Sequence, residues 1–318
     1  MRKANNHKNL LSVIYKIIFL ATPFLCIFVY FSLANYEMPI PLISKSISFD
    51  AKLHHYSKNN INQVEILAIG SSMTLNNLNS DVMVNKLKLK YYNFSSWGLQ
   101  ISDIHYLLKY YANKLLPRFV IICSNTTEFG PKGTIEPPTF NELRIYDMFN
   151  WYFYFKNPNI FKFAKQNIRY KKYLSDNSYT NLSFDRYGGA ALNIPKENIS
   201  LTRWNRQFDF PKDDSAAQYL ELDQLAKFLN KNNIKLIFIQ TPMRKGYLSD
   251  AKSNLLIGKH FTKCKDIVES NNGIYGNFHD TTIFDDSLFV DQLHLNEKGS
   301  VVFTKQVVNL INKKIYFK

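Results

Sequence analysis

A hydroxyl, an imidazole and a carboxylate that could together make a serine nucleophile fall in two short stretches of this chain. The first reads Val64-Glu-Ile-Leu-Ala-Ile-Gly70-Ser71-Ser72-Met73-Thr74, an apolar run that stops at a Gly-Ser-Ser turn. The second reads Asp291-Gln-Leu-His294-Leu-Asn296-Glu-Lys-Gly299, near the C-terminus. A serine hydroxyl is inert at neutral pH unless an adjacent base takes its proton, and that base works best when a third group orients it. Ser72 is the candidate nucleophile, His294 the candidate base and Asp291 the orienting acid. Each stretch also has a plainer reading. A Gly-Ser-Ser turn after a strand is commonly only a turn, and an Asp-x-x-His-Leu-Asn segment can simply cap a helix. The turn could also cradle a phosphate at a helix N-terminus, but no Gly-Lys-Ser/Thr follows it, which excludes a Walker loop. His279-Asp280 is a rival base pair, ranked lower because its histidine precedes its acid and lies short of the final helix.

Elements must carry the two stretches to one place. Short apolar runs at 64–69, 91–94, 119–123, 234–239 and 274–278 read as buried strands. Helical spacing is expected at 80–89, 104–116 and 216–229, and Asn296 can cap a last helix. Continuous apolar strands alternating with helices argue for an α/β fold with a parallel sheet covered on both faces. Ligands of such sheets bind beyond the carboxyl ends of the strands. Ser72, Gly98 and Asn125 each follow an expected strand, so they share that edge, and the Asp291–His294 loop follows the fifth strand. Residues 131–215 interrupt the alternation with an aromatic and basic insert, including Trp151-Tyr-Phe-Tyr-Phe155 and Lys171-Lys172. Such an insert is either a satellite core under extra helices or a wall that recognises a sugar or a lipid-linked acceptor.

In this arrangement the chain resembles the SGNH (GDSL-type) hydrolase superfamily over residues 62–130 and 216–313. Gly70-Ser71-Ser72 occupies the family's Gly-Asp-Ser block, and Asp291-Gln-Leu-His294 matches the last block in spacing and place. Asn93-Phe-Ser-Ser-Trp-Gly98 fits the second block. The third block is reduced to Cys123-Ser124-Asn125-Thr126, with only the Asn kept. The resemblance implies a three-layer α/β/α, flavodoxin-like fold. It implies acyl transfer to Ser72, with His294 moving the proton and Asp291 holding the imidazole. The oxyanion would be met by the backbone N–H groups of Ser72 and Gly98 and the side-chain amide of Asn125. The mechanism needs no cofactor and no metal. Serine in place of the block's Asp, at position 71, is a departure associated with membrane-anchored envelope relatives. These include proteins resembling the D-alanyl transfer component of teichoic-acid modification and the alginate O-acetylation proteins. The implied activity is therefore ester hydrolysis or O-acyl (acetyl) transfer on a cell-envelope polysaccharide or glycolipid, with a multi-spanning membrane acyltransferase as partner. The reduced third block motivates a second reading, a non-catalytic accessory module that binds the glycan.

The 318 residues are 46% hydrophobic and carry a formal charge of +15, so the chain is globular rather than disordered. Its basic residues are scattered rather than blocked, which argues against a nucleic-acid tail and for attraction to an anionic surface. Arg2, Lys3 and Lys8 precede an apolar run that is free of charge over residues 17–33. With Lys16 reaching toward headgroups, this reads as one transmembrane helix that leaves the bulk of the chain outside the cytoplasm. A cleaved signal peptide is the alternative. The expected organisation is a leader and anchor over 1–35, a tether over 36–62 holding His54-His55 in solvent, and the catalytic domain over 63–318. Cys26, Cys123 and Cys264 show no metal spacing, and a Cys123–Cys264 bridge stays open.

Overall fold

The computed structural model describes residues 2–33, 40–130, 138–150, 160–174, 177–208, 215–248, 251–279 and 283–316. The chain divides into two compact units, Met1–Pro39 and Ile40–Lys318. In the first, α1 (Arg2–Leu33) is one helix with Pro23 inside it. Among the described residues no helix is long and apolar enough to cross a membrane, so the expected transmembrane anchor is not supported. Lys16 interrupts the apolar run, and the uncharged remainder spans only about 26 Å at a helical rise of about 1.5 Å per residue, short of a hydrocarbon core of about 30 Å.

The second unit begins with a helix where a tether was expected. Ser46 caps α2 (Ile47–Lys58) by accepting from the Phe49 N–H at 3.3 Å. Phe49, Leu53 and Tyr56 then lie on one face and enter the main core. His55 is not a solvent residue either: its Nδ1 lies 3.0 Å from the Tyr92 hydroxyl and its ring stacks on Tyr92. Burial, followed by the charge of Lys52, pushes its imidazole down to about 3.

The chain then runs β1 (Ile66–Ala68), α3 (Ser72–Asn77), α4 (Ser80–Leu87), β2 (Tyr91–Asn93), α5 (Ile101–Leu115) and β3 (Phe119–Ser124). The insert contributes α6 (Phe140–Met148), α7 (Ile160–Leu174) and α8 (Leu201–Trp204). The alternation resumes with α9 (Ser215–Lys231), β4 (Lys235–Gln240), α10 (Ala251–Ser270), β5 (Ile274–Asn277) and α11 (Glu297–Ile311). All strand pairs are parallel, and the order is β2-β1-β3-β4-β5. This is the flavodoxin-like order, whose direction of winding reverses between β1 and β3.

Alternation along each strand builds two helical layers. Leu67, Val120, Ile122, Leu236 and Phe238 face a core shared with α2, α5, α9 and α10. Ile66, Ala68, Ile121, Ile237 and Ile239 face one shared with α4 and α11. Cys123 belongs to the second core and Cys264 to the first, so the two thiols lie on opposite faces and are free rather than bridged. Part of the insert is a satellite core: Leu182, Tyr170, Tyr173 and Phe184 pack with Ile40 and Ala51. The aromatic run at 151–155 lies outside the described residues.

Candidate active site

Ser72 is the first residue of α3, at the point where the sheet's winding reverses. Its place is set by its neighbours. Gly70 passes so close to the first turn of α3 that a Cβ there would clash with Thr74 Oγ1. Thr74 Oγ1 is itself fixed, donating to the Cys123 carbonyl at 2.9 Å and accepting from the Cys123 N–H at 3.0 Å. Ser71 caps α3 by accepting from the Met73 N–H at 3.0 Å, and its hydroxyl donates to buried Glu128. As the first helical residue, Ser72 has a backbone N–H with no intrahelical acceptor.

The second stretch is the loop into α11, and α3 holds it. The Asn77 side chain accepts from the Leu295 N–H at 2.9 Å and donates to the Leu293 carbonyl at 3.4 Å. Within the loop, Val290 N–H donates to the His294 carbonyl at 2.9 Å. Asp291 Oδ1 accepts from the N–H groups of Leu293 at 2.9 Å and His294 at 2.7 Å. The structure therefore joins the three sequence candidates. His294 Nε2 lies 3.0 Å from Ser72 Oγ, and His294 Nδ1 lies 2.9 Å from Asp291 Oδ2. The network assigns the tautomer: Nδ1–H donates to the carboxylate, which leaves the Nε2 lone pair for the serine proton. Ser72 and His294 are half-buried and reachable, whereas Asp291 is buried. Burial by itself would raise the Asp291 carboxyl. The charge of His294 and the hydrogen bonds from its ring and from the loop N–H groups outweigh that and hold it down to about 2.

The expected oxyanion donors are placed less uniformly. Gly98 sits exposed in the turn after β2 with φ 72°, a conformation that favours glycine, and Ser96 N–H ties that turn to the Gly70 carbonyl at 3.0 Å. Asn125 is fully buried. Its Oδ1 accepts from the N–H and hydroxyl of Thr127, and its Nδ2 faces the Met73 sulfur at 2.8 Å. The structure thus has the Asn125 amide bracing the nucleophile turn from below. Of the rival pair, His279 packs against Phe261 at 5.6 Å between ring centroids, and Asp280 lies outside the described residues.

Three residues escaped the sequence reading. Asn77 lies one helix length past the nucleophile. Glu128 gathers hydrogen bonds from Ser71, Ser124 and the Asn125 N–H. Arg203, from the insert, places Nη1 3.6 Å from Asp291 Oδ2 and its guanidinium 4.2 Å from the Tyr179 ring centroid. Asn125 and Glu128 at i and i+3 form a capping box, the one sequence signal that could have pointed to Glu128.

No family model matches the chain and no curated protein matches it. Among solved structures it is similar to a Bacteroides fragilis protein assigned as an acylhydrolase, at 12% identity and TM-score 0.46 over 83% of this chain and 97% of that one. It is similar to a GDSL-like lipase from Bacteroides thetaiotaomicron at 10% identity and TM-score 0.46, over 83% of this chain and 99% of that one. An acetylxylan esterase from Geobacillus stearothermophilus is similar at 12% identity and TM-score 0.41, over 79% and 95% of the two chains. These are distant likenesses, each at 12% identity or below.

Proposed function

We propose that this chain is a serine-dependent esterase or O-acyltransferase whose acyl ester sits on a carbohydrate, a polysaccharide or glycolipid of the cell envelope. The observation that carries the reading is the unbroken hydrogen-bonded path from Ser72 Oγ through His294 to Asp291. As Ser72 Oγ attacks the acyl carbonyl, its proton passes to His294 Nε2, and Asp291 stabilises the imidazolium that forms. The tetrahedral oxyanion is met by backbone N–H groups at Ser72 and Gly98. Collapse breaks the ester C–O bond, the leaving alkoxide takes the proton from Nε2, and the acyl group stays on Ser72. Water or a second hydroxyl then repeats the sequence in reverse. Water gives hydrolysis and a sugar hydroxyl gives transfer. In the transfer mode a multi-spanning membrane acyltransferase would supply the acyl group. The formal charge of +15 supports an anionic envelope polymer as the working surface.

A fluorophosphonate probe tests the nucleophile directly. The wild type should be labelled and should hydrolyse p-nitrophenyl acetate, and Ser72→Ala should do neither. An unlabelled wild type would count against an activated serine. The inward-facing Asn125 amide favours the accessory-module reading as the alternative. That reading gains if Ser72→Ala and His294→Ala both restore envelope modification in a deletion strain.

A further inference from the structure

Helix α7 carries the basic residues Lys162, Lys165, Arg169, Lys171 and Lys172 and no acidic one. The helix has two unlike faces. Phe163, Gln166, Tyr170 and Tyr173 turn inward. Tyr170 and Tyr173 join the satellite core with Ile40 and Ala51, and Gln166 Nε2 donates to Asp50 at 3.3 Å. At about 3.6 residues per turn, fixing that stripe inward leaves Phe161, Lys165, Ile168 and Lys172 together on the opposite face. All four are exposed, Phe161 at 88% and Ile168 at 71%.

Single apolar side chains in water need no explanation, but these two share one stripe with cations. They stand about 10 Å apart along the axis, at about 1.5 Å per residue, with Lys165 between them. That pattern narrows the partner. The buried centre of a protein interface is depleted of lysine, so a protein partner would have to bury Lys165 between the two apolar anchors. A soluble anionic polymer would pair with the lysines and leave Ile168 in water. A bilayer of anionic lipid meets both, because its charge lies in the headgroup layer and its hydrocarbon lies directly beneath. Long lysine side chains reach back to the headgroups while the apolar ones go deeper.

The helix also stands near the nucleophile's edge of the sheet. Tyr173 packs edge-on against Trp97 with ring centroids 6.0 Å apart, and Trp97 precedes Gly98 in the turn after β2. That turn lies beyond the carboxyl ends of the strands, as Ser72 does at the start of α3.

We propose that the outer face of α7 docks this chain on an anionic phospholipid surface, with Phe161 and Ile168 entering the acyl boundary and Lys165 and Lys172 lying among the headgroups. Docking of this kind is peripheral: it needs no helix that crosses the bilayer. It holds the edge of the sheet that carries Ser72 next to the lipid. The inference goes beyond the esterase reading and does not depend on it, since none of the docking residues belongs to the nucleophile system.

The test uses the full chain with Cys26→Ser and Ala164→Cys, labelled at position 164 with the environment-sensitive fluorophore NBD. Ala164 is exposed on α7, whereas Cys123 and Cys264 are buried and stay unlabelled. Vesicles of equal parts phosphatidylcholine and phosphatidylglycerol should shift the emission to the blue, and lipid carrying a nitroxide on its acyl chain should quench it. Vesicles of phosphatidylcholine alone should quench at least threefold less. Phe161→Ser with Ile168→Ser, and separately Lys165→Glu with Lys172→Glu, should each reduce quenching at least threefold at an unchanged melting temperature. The readout sits on α7, so lipid contact made by another part of the chain does not register. Absence of quenching in the anionic vesicles overturns the proposal. So does equal quenching in neutral vesicles, or quenching that survives both pairs of substitutions. A blue shift of the same size with soluble polygalacturonate and no lipid would assign the face to a polymer and also overturn it. Fluorophosphonate labelling of Ser72 is independent of every arm, so the docking face and the esterase reading can fail separately.

Discussion

Burial pushes the Glu128 carboxyl up, while hydrogen bonds from Asn125, Ser71 and Ser124 pull it back. It is the acceptor beneath the nucleophile turn, and Ser71 is the donor that meets it. Ser71→Asp places a second carboxylate against Glu128 in a site where both residues are buried. Like charges cannot both ionise there, so Ser71→Asp should lower the urea midpoint more than Ser71→Ala does. Adding Glu128→Gln should restore part of the loss, a coupling that a double-mutant cycle measures directly. An additive cycle would remove the Ser71–Glu128 pair from the account of the turn. Asp291 is the carboxylate that orients His294. With its carboxyl held down to about 2, it is ionised throughout any practical assay range. Asp291→Asn keeps the shape but loses the charge and the preference for the Nδ1–H tautomer. Hydrolysis of p-nitrophenyl acetate should fall by about 10³–10⁴ in kcat, with fluorophosphonate labelling slowed in parallel.

At the scale of elements, the site depends on how closely α3 seats on β3. A methyl at position 70 would meet Thr74 Oγ1 at 2.1 Å and Thr74 Cβ at 2.9 Å, and Thr74 is held by both backbone groups of Cys123. Gly70→Ala should therefore cost about 1–3 kcal/mol by overpacking. Because the turn carries Ser72, activity should fall more than the folded fraction does. Melting curves and rates measured well below the transition separate the two, and an activity loss that only tracks unfolding would detach the turn from catalysis. The same elements show what could be read in the chain. The strands were legible because a sheet buried on both faces writes unbroken apolar runs, as at Phe119–Ser124 and Lys235–Gln240. The pairing of Ser72 with His294 was legible because Ser72 lies just beyond β1 and His294 lies in the connection from β5 to the last helix. Helix α3 was not: six residues give no period, and Ser71 and Thr74 fix it through partners on β3 and Glu128. Helix α2 was hidden because its apolar stripe is interleaved with buried Ser48, Asp50 and Lys52. Those are satisfied by partners outside the helix: the Ser44 N–H bonds Asp50 at 2.8 Å, and the Asn93 carbonyl accepts from Lys52 at 3.1 Å. Arg203 was hidden for a similar reason, since its stretch of the insert carries no periodicity.

Over the whole molecule, the buried titratable groups make stability depend on pH through opposing contributions. Burial pushes the His260 imidazole down to about 3 from an ordinary 6.5. Between those values the unfolded chain binds a proton that the folded chain does not. The His260 contribution is thus fully present above pH 6.5 and is lost as pH falls toward 3. Asp50 has the opposite sign. Burial, partly offset by hydrogen bonds from Ser44 and Gln166, pushes its carboxyl up from 3.8 to about 7. The folded chain holds that proton where the unfolded chain has released it, so its contribution is present at low pH and is lost as pH rises through 7. At about 1.4 kcal/mol per unit, acidification from pH 7 to 5 removes about 2 kcal/mol through His260 and returns about 2 kcal/mol through Asp50. These two contributions oppose each other while His55, held down in the same way, adds a loss of the same sign as His260, and substitution should expose each. Asp50→Asn preserves the side chain's size and removes the compensating proton. Its melting temperature should therefore drop more steeply than that of the wild type between pH 7 and 5, by about 4–8 °C at roughly 2–4 °C per kcal/mol. His260→Gln should shift the slope the other way. Parallel slopes for Asp50→Asn and the wild type would show that Asp50 is already ionised in the folded state, and that its bonds to Ser44 and Gln166 overcome burial.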